Sequence, residues 1–218
     1  MTLGAGESER IFAVPFFAAA MRGEPCTVHG YEKLPHRLPT TRWAARVDAG
    51  DAAVLAHCTG PTLDIGCCPG RISGYLSGRG VVVLGIDIVP EAVEQTQARG
   101  ASALHRDVFD HVPGEGRWVS ALLADGNIGI GGDPVALLRR VAAVLVPEGR
   151  VVADVAPPGT AMRTHTIVLE CGGRLSEPFF WTVLGPEAVT DVAHAAGLGV
   201  AGVHEHDGRW FVVLSRGS

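Results

Sequence analysis

Between about residues 60 and 155, short apolar runs of strand length alternate with stretches whose apolar positions recur at helical spacing. That alternation predicts a parallel sheet flanked by helices. The strands expected are Thr62–Ile65, Val81–Ile86, Ala103–Arg106, Val119–Ala124 and Arg150–Val155. The helices between them carry recognisable ends. Pro90 and Glu91 open one and Gly100 closes it, while Asp133 caps another with Pro134 at its first position. Val135, Leu138, Ala142 and Leu145 then share one face, and Pro147 and Gly149 stop the helix. Past Val155 the pattern changes. Thr166–Glu170, the turn Cys171-Gly172-Gly173 and Arg174–Trp181 predict an inserted antiparallel hairpin. A helix at about Pro186–Ala196 follows. Val200–His204, Asp207-Gly208 and Trp210–Ser215 make a second hairpin.

The first 60 residues read differently. Ile11–Met21 predicts an apolar helix, Gly23–Thr40 a linker rich in Pro, His and Gly, and Trp43–His57 a second helix. The first run falls short of the ~20 residues a spanning helix needs, and Pro15 interrupts it. As a signal peptide it has the wrong leader, with Glu7 and Glu9 against Arg10. The expected organisation is an N-terminal helical cap or lid over residues 1–58 and an α/β domain over 59–218, packed as one unit.

Composition narrows the function. Of 218 residues, 47% are hydrophobic and 19% charged, enough apolar surface for a sizeable core. The net charge of −5, with no block of basic residues, argues against a nucleic-acid partner. Five cysteines (Cys26, Cys58, Cys67, Cys68 and Cys171) are odd in number and lack C-x-x-C spacing. Neither a disulfide framework nor a structural zinc site is expected, and a reducing cytoplasm suits such cysteines.

The richest stretch is Leu63-Asp64-Ile65-Gly66-Cys67-Cys68-Pro69-Gly70-Arg71, which leads from a strand into a helix. A glycine turn there lets a ligand approach the backbone. A dinucleotide fingerprint would need glycine at 66, 68 and 71, and only Gly66 fits. Asp87 closes the next strand, where an α/β nucleotide site places a carboxylate to accept ribose hydroxyls.

Asp64-x-Gly66-x-x-Pro69-Gly70, Asp87, Asp107 and the strand Leu122–Asp125 ahead of Gly149–Val152 resemble class I S-adenosylmethionine-dependent methyltransferases. The run Leu123–Pro134 resembles one bacterial subgroup of small members. The resemblance implies a Rossmann-like fold with a seven-stranded, mostly parallel sheet whose last strand is antiparallel. It implies S-adenosylmethionine as the cofactor. Asp64, Gly66, Cys67, Cys68 and Gly70 would frame its methionine part, Asp87 its ribose and Ile88 its adenine. Asp107 would receive the adenine amino group beside the backbone of Val108, and Asp125 and Gly126 would face the sulfonium. Cys68 stands where the family has glycine. The expected accommodation keeps its φ negative and leaves the sulfur near the methionine or ribose part.

The activity implied is methyl transfer to a small-molecule acceptor by in-line displacement, in a monomer or homodimer. Natural-product cyclisation on the same fold and non-enzymatic nucleotide binding are the rivals. On the acceptor side, Asn127 is a candidate to orient the acceptor, or a residue that satisfies a glycine-rich turn. His165 is a candidate base, or a strand-edge residue. Phe16, Phe17, Tyr31 and Trp43 suit either an acceptor pocket or the core of the cap. His204-x-His206 suits a surface pair better than a metal site.

Overall fold

The computed structural model describes residues 5–31 and 34–216, so residues 1–4, 32 and 33 of the expected cap lie outside the described residues. In chain order the elements are α1 (Ala5–Met21), β1 (Cys26–His29), β2 (His36–Arg37), α2 (Thr40–Ala44), α3 (Ala49–Leu55), β3 (Thr62–Ile65), α4 (Arg71–Ser77), β4 (Val83–Asp87), α5 (Pro90–Ala98), β5 (Ser102–His105), β6 (Trp118–Leu123), α6 (Pro134–Val144), β7 (Leu145–Val155), β8 (Arg163–Cys171), β9 (Arg174–Leu175), β10 (Phe179–Val183), α7 (Pro186–Ala195), β11 (Leu198–His206) and β12 (Arg209–Arg216).

Seven strands form the central sheet in the order β11-β12-β7-β6-β3-β4-β5. All neighbours from β7 to β5 are parallel, and β12 runs antiparallel to both β7 and β11. This is the expected Rossmann-like sheet with its antiparallel last strand. Leu63, Ile65, Ile86 and Leu123 from the strands are sealed beneath Leu137, Leu138 and Val141 of α6. Each such side chain, fully buried, contributes roughly 1.5–3 kcal/mol. Asp133 caps α6 by accepting from the Ala136 N–H at 2.9 Å, as its place before Pro134 predicts. The helix ends sooner than Pro147 predicts, because Leu145 already belongs to β7.

The N-terminal region departs furthest from expectation. The predicted linker contains β1, which pairs antiparallel with β8, and β2, which pairs with β1. With β10 on the other side of β8, these make a second sheet in the order β10-β8-β1-β2, to which β9 adds through β8. The inserted hairpin is therefore half of a sheet completed by the N-terminal segment. Short strands such as Cys26–His29 leave too little alternation to read, and their partner lies some 140 positions away. The predicted helix at Trp43–His57 is two helices. Asp48 breaks it and starts α3 through a reciprocal capping box with Asp51.

The second sheet also corrects the cysteine reading. Cys26 and Cys171 face each other across β1 and β8, with Cα atoms 4.5 Å apart, and form a disulfide. A sequence separation of 145 gives such a pair no local signature. Cys58, Cys67 and Cys68 are free thiols.

Candidate functional site

The loop after β3 is shaped by two glycines and an asparagine. Gly66 has φ +70°, and a Cβ there would lie 2.6 Å from Nδ2 of Asn127. That amide donates to the carbonyls of Ile65 (2.8 Å) and Gly66 (3.1 Å). Asn127 thus holds the loop from across the sheet while lining the same cavity. Gly70, at φ +79°, is the N-cap of α4 and abuts Thr96, whose Cα would be 2.6 Å from an added Cβ. Cys68 overturns the expectation of a negative φ. It sits at φ +50°, in the left-handed region that glycine prefers. Its neighbours hold it there: its N–H donates to Asp87 Oδ2 at 3.0 Å, and its carbonyl accepts from Thr96 Oγ1 at 2.9 Å. Such a conformation costs of order 1–3 kcal/mol in a non-glycine residue.

Asp87 ends β4 at the carboxyl edge of the sheet. Oδ1 accepts from the Val89 N–H at 2.9 Å and Oδ2 from the Cys68 N–H at 3.0 Å, which leaves each oxygen a further lone pair. Burial pushes this carboxyl up to about 6 against the pull of those N–H groups. A cavity of about 130 Å³ opens beside it, lined also by Gly66, Cys68, Ile88, Asp107, Val108 and Asn127. The Asp107 carboxylate accepts from the Phe109 N–H at 3.0 Å, which steadies the turn after β5. Ala13, Phe17, Met21 and Trp43 from the N-terminal segment close the other side.

A smaller cavity adjoins, lined by Asp64, Cys67, Arg71 and Asp125 together with Gly66, Cys68 and Trp43. Asp64 is buried at its floor, where Ser73 Oγ donates to Oδ2 at 2.6 Å. Burial pushes this carboxyl up to about 6 as well, against that hydroxyl. The cysteine thiols do not supply reactive thiolates. Burial first, and the nearby Asp87 next, hold both Cys67 and Cys68 far above the ordinary thiol range.

Beyond β6 two consecutive residues turn left-handed, Asp125 at φ +51° and Gly126 at +83°. Around Asp125 lies an ion network that the sequence reading misses. Arg71 reaches Asp125 Oδ2 at 2.5 Å and also pairs with Asp51. Arg209 forks onto Asp154 (2.9 and 2.5 Å) and pairs with Asp51. Asp154 Oδ2 in turn accepts from the Asp125 N–H at 2.6 Å. Burial opposes ionisation of Asp51, yet the guanidinium groups of Arg71 and Arg209 hold its carboxyl below the usual range. The only trace in the sequence is a charge inside an apolar run, Asp154 in Val151–Val155. Arg42, on α2, completes the network from the N-terminal segment.

Gly126 and Asp125 line two further cavities, which share Tyr31, Arg42 and Trp181. One is walled by Phe17, Tyr31, Trp43, Phe179 and Trp181, so Phe17, Tyr31 and Trp43 do line a pocket. Phe16 instead packs in the cap cluster beside Cys26 and Cys171. His165 lies elsewhere. It belongs to β8 rather than to the connection before it, in register with Trp181, and lines none of these cavities. Its Nδ1 is 3.1 Å from the carbonyl oxygen of Gly30. His204 stacks on Phe211 and His57, and among the described residues no group of three metal-ligating side chains occurs.

Residues 62–149 match a family model described as a methyltransferase domain. No curated protein matches the sequence. Among solved structures, an S-adenosylmethionine-dependent methyltransferase from Bacteroides fragilis, in complex with S-adenosylhomocysteine, is 19% identical with a TM-score of 0.79, covering 100% of this chain and 98% of that one. A 1,6-didemethyltoxoflavin-N1-methyltransferase from Burkholderia thailandensis is 18% identical with a TM-score of 0.65, covering 98% and 90%. A sugar N-methyltransferase from a Streptoalloteichus species is 16% identical with a TM-score of 0.58, covering 81% and 88%. The glycine loop and the acids near three successive strand ends lie within or beside the stretch that matches a methyltransferase domain, and the chain has the fold of class I S-adenosylmethionine-dependent methyltransferases.

Proposed function

We propose that the protein transfers a methyl group from S-adenosylmethionine to a small-molecule acceptor. The observation that carries this reading is one continuous lining. Phe17, Trp43, Phe179 and Trp181 bound both the cavity beside Asp87 and the aromatic cavity beside Asp125. Two ligands can therefore meet near Gly66, Asp125 and Gly126. The residues present suit the cofactor. Asp87 has a lone pair for each of two ribose hydroxyls, Asp107 and Val108 border the adenine end, and acidic side chains around Asp64 and Asp125 suit a cationic sulfonium.

S-adenosylmethionine supplies a methyl carbon activated by positive sulfur. The chain's own contribution is alignment and exclusion of water, and alignment can supply roughly 7–11 kcal/mol in well-oriented systems. Asn127 serves by fixing the Gly66 loop, and so acts on the acceptor through position. The B. thailandensis and Streptoalloteichus proteins are named for small acceptors, and the acidic charge of −5 agrees with such a partner better than with nucleic acid. A monomer or homodimer is the setting we infer; no helix among the described residues is long and apolar enough to cross a membrane, and the Cys26–Cys171 disulfide removes the cysteine argument for a reducing cytoplasm.

The test is calorimetric titration with S-adenosylmethionine and S-adenosylhomocysteine, then transfer of a labelled methyl group into a metabolite extract. Binding with label transfer supports the reading. Turnover without label points to cyclisation or another reaction, and binding alone to a non-enzymatic role.

A further inference from the structure

The three arginines of the ion network are not equally engaged. Arg71 is buried and the Arg209 side chain is only 14% exposed, and each makes at least one contact of 2.5 Å to a carboxylate. Arg42 is 44% exposed, and its contacts are long: 3.3 Å to Asp125 Oδ1, 3.4 Å to Asp48 and 3.8 Å to Asp51. Hydrogen bonds weaken steeply at such distances, so this guanidinium is free to exchange partners. Asp125 is divided in the same way. Oδ2 is held by Arg71 at 2.5 Å, whereas among the described residues Oδ1 has only Arg42 at 3.3 Å and Arg209 at 3.8 Å. A loosely held donor and a loosely held acceptor of the network thus stand side by side, and both line the aromatic cavity.

The rest of that cavity limits what can lie between them. Phe17, Tyr31, Trp43, Phe179 and Trp181 form its walls, in a chain with only seven Phe, four Trp and two Tyr. Faces of that kind suit a flat aromatic body. Four carboxylates (Asp48, Asp51, Asp125 and Asp154) outnumber the three guanidinium groups, which opposes an anionic ligand.

Resting on the methyl-transfer reading above, the structure assigns Arg42 and Asp125 as a pair that reads the edge of the acceptor. The acceptor is an uncharged planar aromatic molecule with an N–H or O–H beside a carbonyl. Asp125 Oδ1 accepts from the N–H or O–H, and Arg42 donates to the carbonyl. In the transfer, the heteroatom forms its bond to the methyl carbon as the carbon–sulfur bond breaks. The electron pair of that bond stays on sulfur, leaving S-adenosylhomocysteine, and the acceptor's proton passes to Asp125 Oδ1 and on to water.

The pair can be tested by binding, without turnover. Protein saturated with S-adenosylhomocysteine is titrated with 2-quinolone, quinoline and 2-naphthoate, with quenching of Trp43 and Trp181 as the readout. 2-Quinolone presents the N–H and carbonyl edge, quinoline lacks the donor, and 2-naphthoate is an anion of similar size. The expected result is 2-quinolone bound at least about tenfold more tightly than either, as one charge-assisted hydrogen bond provides. Arg42→Ala should cut that preference to about threefold or less while S-adenosylhomocysteine affinity stays within about twofold. Normal S-adenosylhomocysteine binding with no 2-quinolone binding, with no preference, or with a preference that survives Arg42→Ala overturns the assignment and leaves the methyltransferase reading standing. No S-adenosylhomocysteine binding overturns both.

Discussion

The two halves of the proposed site, one for the cofactor and one for the acceptor, are built in opposite ways. The polar side of the cofactor half, from Asp64 to Val108, comes from one stretch of chain in which successive strands deliver the acids, and the N-terminal segment only closes it. The acceptor half is assembled from α1, β1, α2, the turn after β6, β8 and β10, segments scattered from residue 17 to residue 181. The first depends on backbone geometry, with Gly66, Gly70 and Cys68 at positive φ and hydrogen bonds from main-chain N–H groups. The second depends on side chains, above all aromatic walls and the Arg–Asp network. A half made by backbone at a sheet edge can serve one constant ligand. A half made by side chains from distant segments can change its ligand by substitution while the sheet stays intact.

That contrast predicts different consequences for substitutions in each half. The largest expected effect falls at the joint between them. Arg71 is buried and bridges Asp51 and Asp125, so Arg71→Ala removes the buried partner they share, leaving Asp51 to Arg209 and Asp125 to longer contacts, and should destabilise the fold by about 3–5 kcal/mol, measured by urea unfolding. A loss below about 1 kcal/mol would show that the halves are joined by packing rather than charge.

Within the cofactor half, Asp87→Ala should weaken S-adenosylhomocysteine at least about tenfold in calorimetry, since hydrogen bonds to a charged group contribute roughly 1.5–3 kcal/mol each. The variant should leave 2-quinolone discrimination alone once saturated. Unchanged cofactor affinity in a folded variant would remove Asp87 from the site. The same residue gives a pH signature. Its folded pKa of about 6 lies above the ordinary 3.8, so its contribution to stability is full below about pH 4 and is lost as pH rises through about 6. Cofactor binding needs the carboxylate and runs the other way, weakening as pH falls below about 6. Asp87→Asn should flatten both trends relative to the natural protein, and retention of either would assign it to another acid such as Asp64.

The smallest effect expected is at Cys68. Glycine there removes the left-handed strain, so Cys68→Gly should raise stability by roughly 1 kcal/mol, and S-adenosylmethionine affinity should hold or tighten modestly. A loss of stability would mean that the buried thiol contributes more by packing than its backbone costs.

Much of the fold is legible in the sequence. The five parallel strands follow from apolar runs of strand length, and the caps at Pro90 and Asp133 from residues whose chemistry acts within three or four positions. The acids Asp64, Asp87 and Asp107 are visible in the sequence as charges at or just past the end of an apolar run, and the structure places them along the carboxyl edge of the sheet. Asp125 and Gly126, expected from the resemblance, lie just beyond the end of β6. What the sequence could not convey was the role of Asn127, whose partners are carbonyls 61 and 62 positions away.

By itself, then, the sequence determined the central sheet and the acids along its carboxyl edge, since helical and strand periods and capping are short-range effects that leave a local pattern. Only the tertiary structure decided that Cys26 meets Cys171, that β1 completes the sheet of β8 and β10, and that three arginines converge on Asp125. Each of these joins residues tens to well over a hundred positions apart. Their free energy comes from burial and pairing on contact, and a linear pattern carries no record of contacts that form only once the chain has folded back on itself.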